Sequence, residues 1–278
     1  MIGKPQNLVL WPKLHTESSM YHDLIVSDFE DTYKNLSYKA LIALHWIDNY
    51  CSNVPIVLKS DDDVFINIFV LENFLDLILL RKNISTSNKI DSIQMKNAVI
   101  QLRNSDSQIK SSYIKPSKLL SRRNSIMKHN LLGGRDYRVG SFNNSIYCLV
   151  WNEMIVLRDK SSKWYVSPFE FADKFYPKYC SGNAFFMSSS IVKKLINASK
   201  VEKFLWVDDA YITGVLPKKA KIKHFRINSL YELNIKKFFP SMVKGSKIFL
   251  HHPSHNNETC IQLWNLIADM NKNHFNEL

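Results

Sequence analysis

The sequence predicts an α/β fold, a mixed but mostly parallel sheet flanked by helices. Three observations carry that expectation. Short β-branched runs alternate with helix-period apolar patterns through residue 80; the 278-residue chain has an ordinary globular mix, 45% hydrophobic and 22% charged; and no Pro/Gly linker or internal repeat divides it. A single domain over residues 1–278 is expected, interrupted by a basic, loop-rich insertion at 83–144.

The elements follow in order. Residues 7–11 read as the remnant of an opening strand. Leu24-Ile25-Val26 is the next short apolar run, and Leu36, Ala40, Ala43, Leu44 and Ile47 then fall on one helical face. Pro55 precedes Ile56-Val57-Leu58, a run short and β-branched enough for a buried strand, which ends abruptly in Lys59-Ser60-Asp61-Asp62-Asp63. Asn67 suits the N-cap of a helix whose apolar face is Phe69, Leu71, Phe74, Leu75, Ile78 and Leu79, closed by Arg81-Lys82. The order βαβα implies parallel pairing, and in such sheets ligands sit beyond the carboxyl ends of the strands. The three aspartates fall at that edge. After the insertion, strands are expected at 146–150, 184–187, 221–227 and 247–250. Helices are expected over 189–199 and around Ile261, Leu263, Trp264 and Ile267.

Composition removes several function classes. The apolar stretch 64–80 is broken by Asn67, Glu72, Asn73 and Asp76, short of the ~20 apolar residues of a membrane helix. The N-terminal residues lack an apolar core leading to a cleavage site, so no signal peptide is expected. Thirty-seven basic against 25 acidic residues give +12, a balance that admits an anionic partner without choosing one. The basic segment 103–138 is poor in aromatics and reads as a solvated loop, so no nucleic-acid partner is expected. Cys51, Cys148, Cys180 and Cys260 contain no C-x-x-C pair, which leaves two disulfides or four buried thiols. Acceptor patterns at Asn35, Asn83, Asn143, Asn197 and Asn257 favour a secretory lumen.

Three adjacent carboxylates repel one another, and a divalent cation relieves that repulsion by taking oxygen ligands from them. In an extended segment Asp61 and Asp63 face one side and Asp62 the other, so the pair can hold a metal and its bound diphosphate. An acidic turn or N-cap is the plainer reading of the same run. A calcium loop does not fit, because Phe65 and Ile66 stand where a ligand and a glycine are required. His251-His252-Pro253-Ser254-His255 has the residue types of a zinc site, but Pro253 keeps the i,i+4 histidines off a common helix.

Asp28-Phe29-Glu30-Asp31-Thr32-Tyr33-Lys34-Asn35-Leu36-Ser37-Tyr38-Lys39, then Trp46, Cys51 and Lys59-Ser60-Asp61-Asp62-Asp63-Val64-Phe65-Ile66-Asn67, form an ordered series. Lys163-Trp164-Tyr165-Val166-Ser167, Tyr176-Pro177-Lys178-Tyr179-Cys180-Ser181-Gly182 and Asp208-Asp209-Ala210-Tyr211-Ile212-Thr213-Gly214 continue it. The series resembles the beta-1,3-glycosyltransferases, which include beta-1,3-galactosyltransferases, beta-1,3-N-acetylglucosaminyltransferases and, more distantly, Fringe. That resemblance implies a GT-A-like fold and inverting, manganese-dependent transfer of galactose or N-acetylglucosamine. The donor is UDP-galactose or UDP-N-acetylglucosamine, and the acceptor a glycan of a glycoprotein or glycolipid, joined in beta-1,3 linkage. Asp63 then becomes the direct Mn2+ ligand, and Asp61 and Asp62 complete the nucleotide-binding motif, Asp61 through the ribose or a bound water. Asp209, with Asp208 beside it, is the general base, and His251 or His252 completes the metal site. Lys39 and Lys59 neutralise the diphosphate, and Trp164, Tyr165, Tyr176, Tyr179 and Gly182 bind the acceptor.

The same resemblance implies residence in the Golgi lumen, with the membrane reached through an anchor that this sequence lacks, as it lacks the family's opening uridine-binding segment. Cys180-Ser181-Gly182-Asn183-Ala184 replaces the family's glycine-richer block, and Ala210 stands where valine is usual. The missing opening segment and the lost glycines motivate the alternative of a catalytically inactive glycan-binding or structural member.

Overall fold

Near-continuous apolar runs are the mark of strands buried on both faces, and the run at Ser145–Trp151 forms such a strand at the centre of a mixed sheet. The computed structural model describes residues 1–5, 7–86, 142–243, 245, 247–251 and 257–271. The chain divides into two compact units, Met1–Asp61 with Asn143–Asn228, and Asp62–Phe142 with Ser229–Leu278. Most of the expected insertion, 87–141, lies outside the described residues.

In the first unit, β1 (Ile2–Lys4) and β2 (Val26–Glu30) pair in parallel. Helices α1 (Trp11–Tyr21) and α2 (Leu36–Tyr50) follow β1 and β2. The main sheet holds β3 (Ile56–Ser60), β5 (Ser145–Trp151), β6 (Tyr179–Ser188) and β7 (Lys223–Arg226) in the order β3-β6-β5-β7. Helix α4 (Val192–Ser199) follows β6. Helix α5 runs from Asp208–Ala210 through a π-helical stretch, Tyr211–Val215, into Leu216–Ala220. Ile146, Met187, Ile191, Leu195, Leu205 and Leu216 form the heart of its core. Each such fully buried aliphatic contributes about 1.5–3 kcal/mol. A disulfide, Cys148–Cys180, ties β5 to β6.

In the second unit, β4 (Val64–Ile66) pairs antiparallel with β9 (Phe249–His251), which pairs in parallel with β8 (Tyr231–Glu232). Helices α3 (Ile68–Thr86), α6 (Phe238–Val243) and α7 (Asn257–Met270) accompany this sheet. Phe69, Phe238, Leu250, Leu263 and Ile267 form the core.

The α/β class holds, and several details differ from expectation. The neighbour of β3 is β6, antiparallel, rather than the preceding strand in parallel; an antiparallel pair needs no crossover connection. Residues 7–11 are helical instead of extended, as a 3-10 turn at Leu8–Leu10 leads into α1, which has Pro12 in its first turn where proline's fixed φ suits a helix. Residues 62 and 63 form a turn, so the alternation assumed for the aspartates is absent. On α7, Leu263 and Ile267 are buried but Ile261 and Trp264 are exposed; at 3.6 residues per turn Ile261 stands about 200° round the helix from Leu263. Of the cysteines, one pair is bonded and Cys51 and Cys260 are free thiols, a mixture of the two expected states.

Candidate active site

Asp208 and Asp209 open α5 after an extended Val207. An aspartate in a first helical turn finds unpaired amides, and the Asp209 carboxylate accepts the Ala210 N–H at 2.7 Å and a second bond from the Gly182 backbone of β6. Burial pushes its carboxyl up to about 7, with the Asp208 charge adding to the rise and the Ala210 bond, Lys59 and Gly182 opposing it. Gly182 and Asp209 lie side by side: a Cβ on Gly182 would be in ordinary contact, 3.6 Å from Asp209 Cβ and 3.7 Å from Oδ2. Strand pairing of Ser60 with Ala184 brings the end of β3 alongside. There the Lys59 ammonium donates to both Asp61 and the Gly182 carbonyl, and the Asp61 amide donates to Asn183. Asp61, Lys59, Gly182 and Asp209 therefore share one neighbourhood of the first unit.

Tyr176 and Tyr179 pack edge to face beside this cluster. Burial raises both phenols, and the Asp209 charge adds to it, taking Tyr176 to about 12. Their rings belong to the core, whereas Trp164 is exposed and Tyr165 half-buried. Lys39 is occupied by the two carboxylate oxygens of Asp31, at 2.9 and 3.0 Å, and Asp31 in turn accepts the Gly3 amide.

In the second unit, the β4–β9 register sets Val64 opposite His251 and so brings Asp63 beside the histidine. His251 Nε2 lies 3.2 Å from Asp63 Oδ2, while Asp63 Oδ1 is buried with no hydrogen-bond partner. A buried carboxylate oxygen left without a donor is costly. An imidazole nitrogen next to it makes a nitrogen–oxygen set suited to a divalent transition metal such as Mn2+. Among the described residues no group of three or more His, Cys, Asp or Glu side chains converges as a metal cluster. Two protein ligands are nonetheless sufficient for a cation that takes the rest of its shell from substrate phosphates and water. Asp62 is exposed in the turn, and His252 lies outside the described residues.

This chain matches the family model described as Galactosyltransferase over residues 1–123 and 126–228. The chain belongs to the galactosyltransferase family. It is 26% identical over 226 residues to beta-1,3-galactosyltransferase 1 of Homo sapiens, covering 81% of this chain and 51% of that protein. Beta-1,3-galactosyltransferase 5 of Mus musculus is 26% identical over 83% of this chain and 53% of its own length. Beta-1,3-galactosyltransferase 2 of Homo sapiens is 25% identical over 90% and 44%. The chain thus spans about half the length of these curated relatives. Among the described residues no helix is long and apolar enough to cross a membrane.

One residue of this neighbourhood, Thr213, escapes a reading of the sequence, which names Lys59 for the diphosphate but not the β6 carbonyl that fixes it. Thr213, fully buried, donates its hydroxyl to the Asp209 carbonyl at 2.5 Å and accepts the Cys180 amide at 2.8 Å, joining α5 to β6. Its position four residues after Asp209 was the available signal, since a helical threonine can bond the i−4 carbonyl.

Proposed function

We propose that this protein is a metal-dependent inverting glycosyltransferase that moves galactose, or N-acetylglucosamine, from a UDP-sugar to a glycan acceptor in beta-1,3 linkage. The observation that carries this reading is Asp209, a buried carboxyl raised to about 7 and fixed against Gly182. A base with that affinity for a proton is matched to neutral pH. Asp209 takes the proton of the acceptor hydroxyl as its oxygen bonds to the anomeric carbon, while the bond to UDP breaks on the opposite face. Lys59, locked by Asp61 and Gly182, keeps a positive charge within reach of Asp209 and limits the rise in its proton affinity. Asp63 and His251 are the residues that would hold Mn2+, with Asp61 and Asp62 serving the nucleotide. When bound, the metal supplies charge neutralisation to the departing diphosphate. The family, rather than a hydrogen bond of this chain, suggests Lys39 as a further diphosphate partner, acting through the Asp31 pair. Trp164, Tyr165, Tyr176, Tyr179 and Gly182 are assigned to the acceptor side.

The Cys148–Cys180 disulfide supports an oxidising compartment, and with the family it favours the Golgi lumen. The test is a donor screen that reads released UDP with and without Mn2+. UDP release from UDP-galactose or UDP-N-acetylglucosamine, dependent on acceptor and metal, is expected. Absence of UDP affinity in the presence of metal would instead favour an inactive glycan-binding protein.

A further inference from the structure

Three aromatic side chains meet on the first unit although they come from distant segments. Tyr33 lies in the 3-10 turn before α2, Trp164 in the 162–165 loop and Trp206 on the approach to α5. Trp164 Nε1 donates to the Tyr33 hydroxyl at 2.8 Å, and the Tyr33 ring meets Trp206 edge-on at 6.0 Å. Trp164 is 51% and Tyr33 42% exposed, so rigid apolar faces look outward. Two ammonium groups lie over these rings. Lys163 Nζ is 4.1 Å from the Tyr33 centroid and 5.7 Å from that of Trp164, and Lys34 Nζ is 5.5 Å from that of Trp206.

Neither ammonium forms an ion pair with a carboxylate among the described residues. Glu170 is within Coulombic reach of Lys34 and offsets part of its charge without forming an ion pair. The rings thus hold two cations in place, Lys163 with no carboxylate partner among the described residues and Lys34 only partly offset. Trp206 is three residues before Asp209, so their Cα atoms lie within about 11 Å even for extended backbone. That is about the length of a disaccharide.

We propose that this patch is an acceptor subsite for an acidic sugar, a residue bearing a carboxylate or a sulfate, one or two units from the hydroxyl that Asp209 deprotonates. The proposal rests on the reading of Asp209 as base. The exposed Trp164 and Tyr33 cover the pyranose, with Trp206 buried beneath them, and Lys163 and Lys34 meet its anionic group. Aromatic rings alone would serve a neutral glycan; two cations on them that no ion pair among the described residues consumes favour a charged one.

The test compares binding of three matched trisaccharides that differ in one unit, galactose, glucuronic acid or 6-sulfated galactose, by tryptophan fluorescence at low and high salt. The acidic pair should bind about tenfold more tightly than the neutral one, with the preference fading in salt. Lys34→Ala/Lys163→Ala should abolish the preference, and Trp164→Ala should weaken all three ligands; these side chains are exposed, and a circular dichroism spectrum checks the fold. The carboxylated and sulfated arms report which anion the site takes. Equal affinity for neutral and acidic ligands, or a preference that survives loss of both lysines, overturns the subsite. The two readings fail separately. UDP release on a neutral acceptor without acidic preference removes only the subsite, whereas acidic preference without UDP release removes only the transferase.

Discussion

Asp209 is the base in the function proposed above, and its burial gives two predictions with opposite readouts. Asp209→Asn keeps the hydrogen bond from Ala210 but cannot take a proton, so transfer should fall by about 10²–10⁴-fold while metal-dependent UDP binding stays nearly intact. In the native protein kcat/KM should rise with pH through about 7 and then level, because the carboxylate is the active form. Stability runs the other way. A carboxyl whose folded value is raised from 3.8 to about 7 binds more protons folded than unfolded across that window, so its ionisation lowers stability as pH rises through it. The thermal midpoint of Asp209→Asn relative to the native protein should therefore climb between pH 4 and pH 7; a constant difference would mean that Asp209 is not desolvated. Asp63→Ala tests the other unit. It removes the orphaned oxygen and the partner of His251, and Mn2+-dependent UDP affinity should be lost, measured by calorimetry with and without metal. The identities of Asp63 and Asp209 were legible in the sequence as acidic pairs in motif order. Their surroundings were not: an Asp-Asp pair before a helix also reads as an N-cap, and the burial of Asp209 and its bond from Gly182, 27 residues upstream, arise only once the chain is folded.

At the scale of elements, the segment that holds Asp209 is a helix with a π-helical stretch, a form that recurs at functional sites. Thr213 fixes this stretch to β6. Thr213→Val keeps the shape but leaves the Cys180 amide without its acceptor, which should cost about 1–3 kcal/mol. The same change frees the Asp209 carbonyl, so kcat should fall with little change in donor KM and the pH midpoint should shift, whereas Thr213→Ser should restore both. A loss of stability with an unchanged pH profile would reduce Thr213 to a structural role. Gly214 follows it, and a Cβ there would stand 2.9 Å from the Cβ of Tyr179. Local signals were read well where period and caps agree, as in α2, β3 and α3, where Asn67 accepts the Val70 amide as the expected N-cap. Partnership was not legible, since the apolar run of β3 suits a parallel or an antiparallel neighbour equally and the choice is made by β6, more than a hundred residues later.

For the whole molecule, the cysteines show how pairing beyond the reach of local sequence bears on stability. Cys148 and Cys180 are brought together by the β5–β6 ladder, with the irregularity between Cys148 and Val150 placing Cys180 opposite Val150. The bond closes a span of 32 residues that includes Trp164, Tyr165, Tyr176 and Tyr179, and it ends two residues before Gly182. Constraining such a loop in the unfolded chain contributes about 2–4 kcal/mol. Both cysteines are fully buried, so a mild reductant should leave the folded protein intact. Alkylation before and after denaturing reduction should label two thiols, Cys51 and Cys260, and then four. Cys148→Ala/Cys180→Ala should lower the thermal midpoint and loosen the acceptor-side loop together, read as faster proteolysis within 152–178. If the double variant melts at the native temperature, the covalent link is dispensable, and the β5–β6 ladder and its core hold Gly182 against Asp209 unaided.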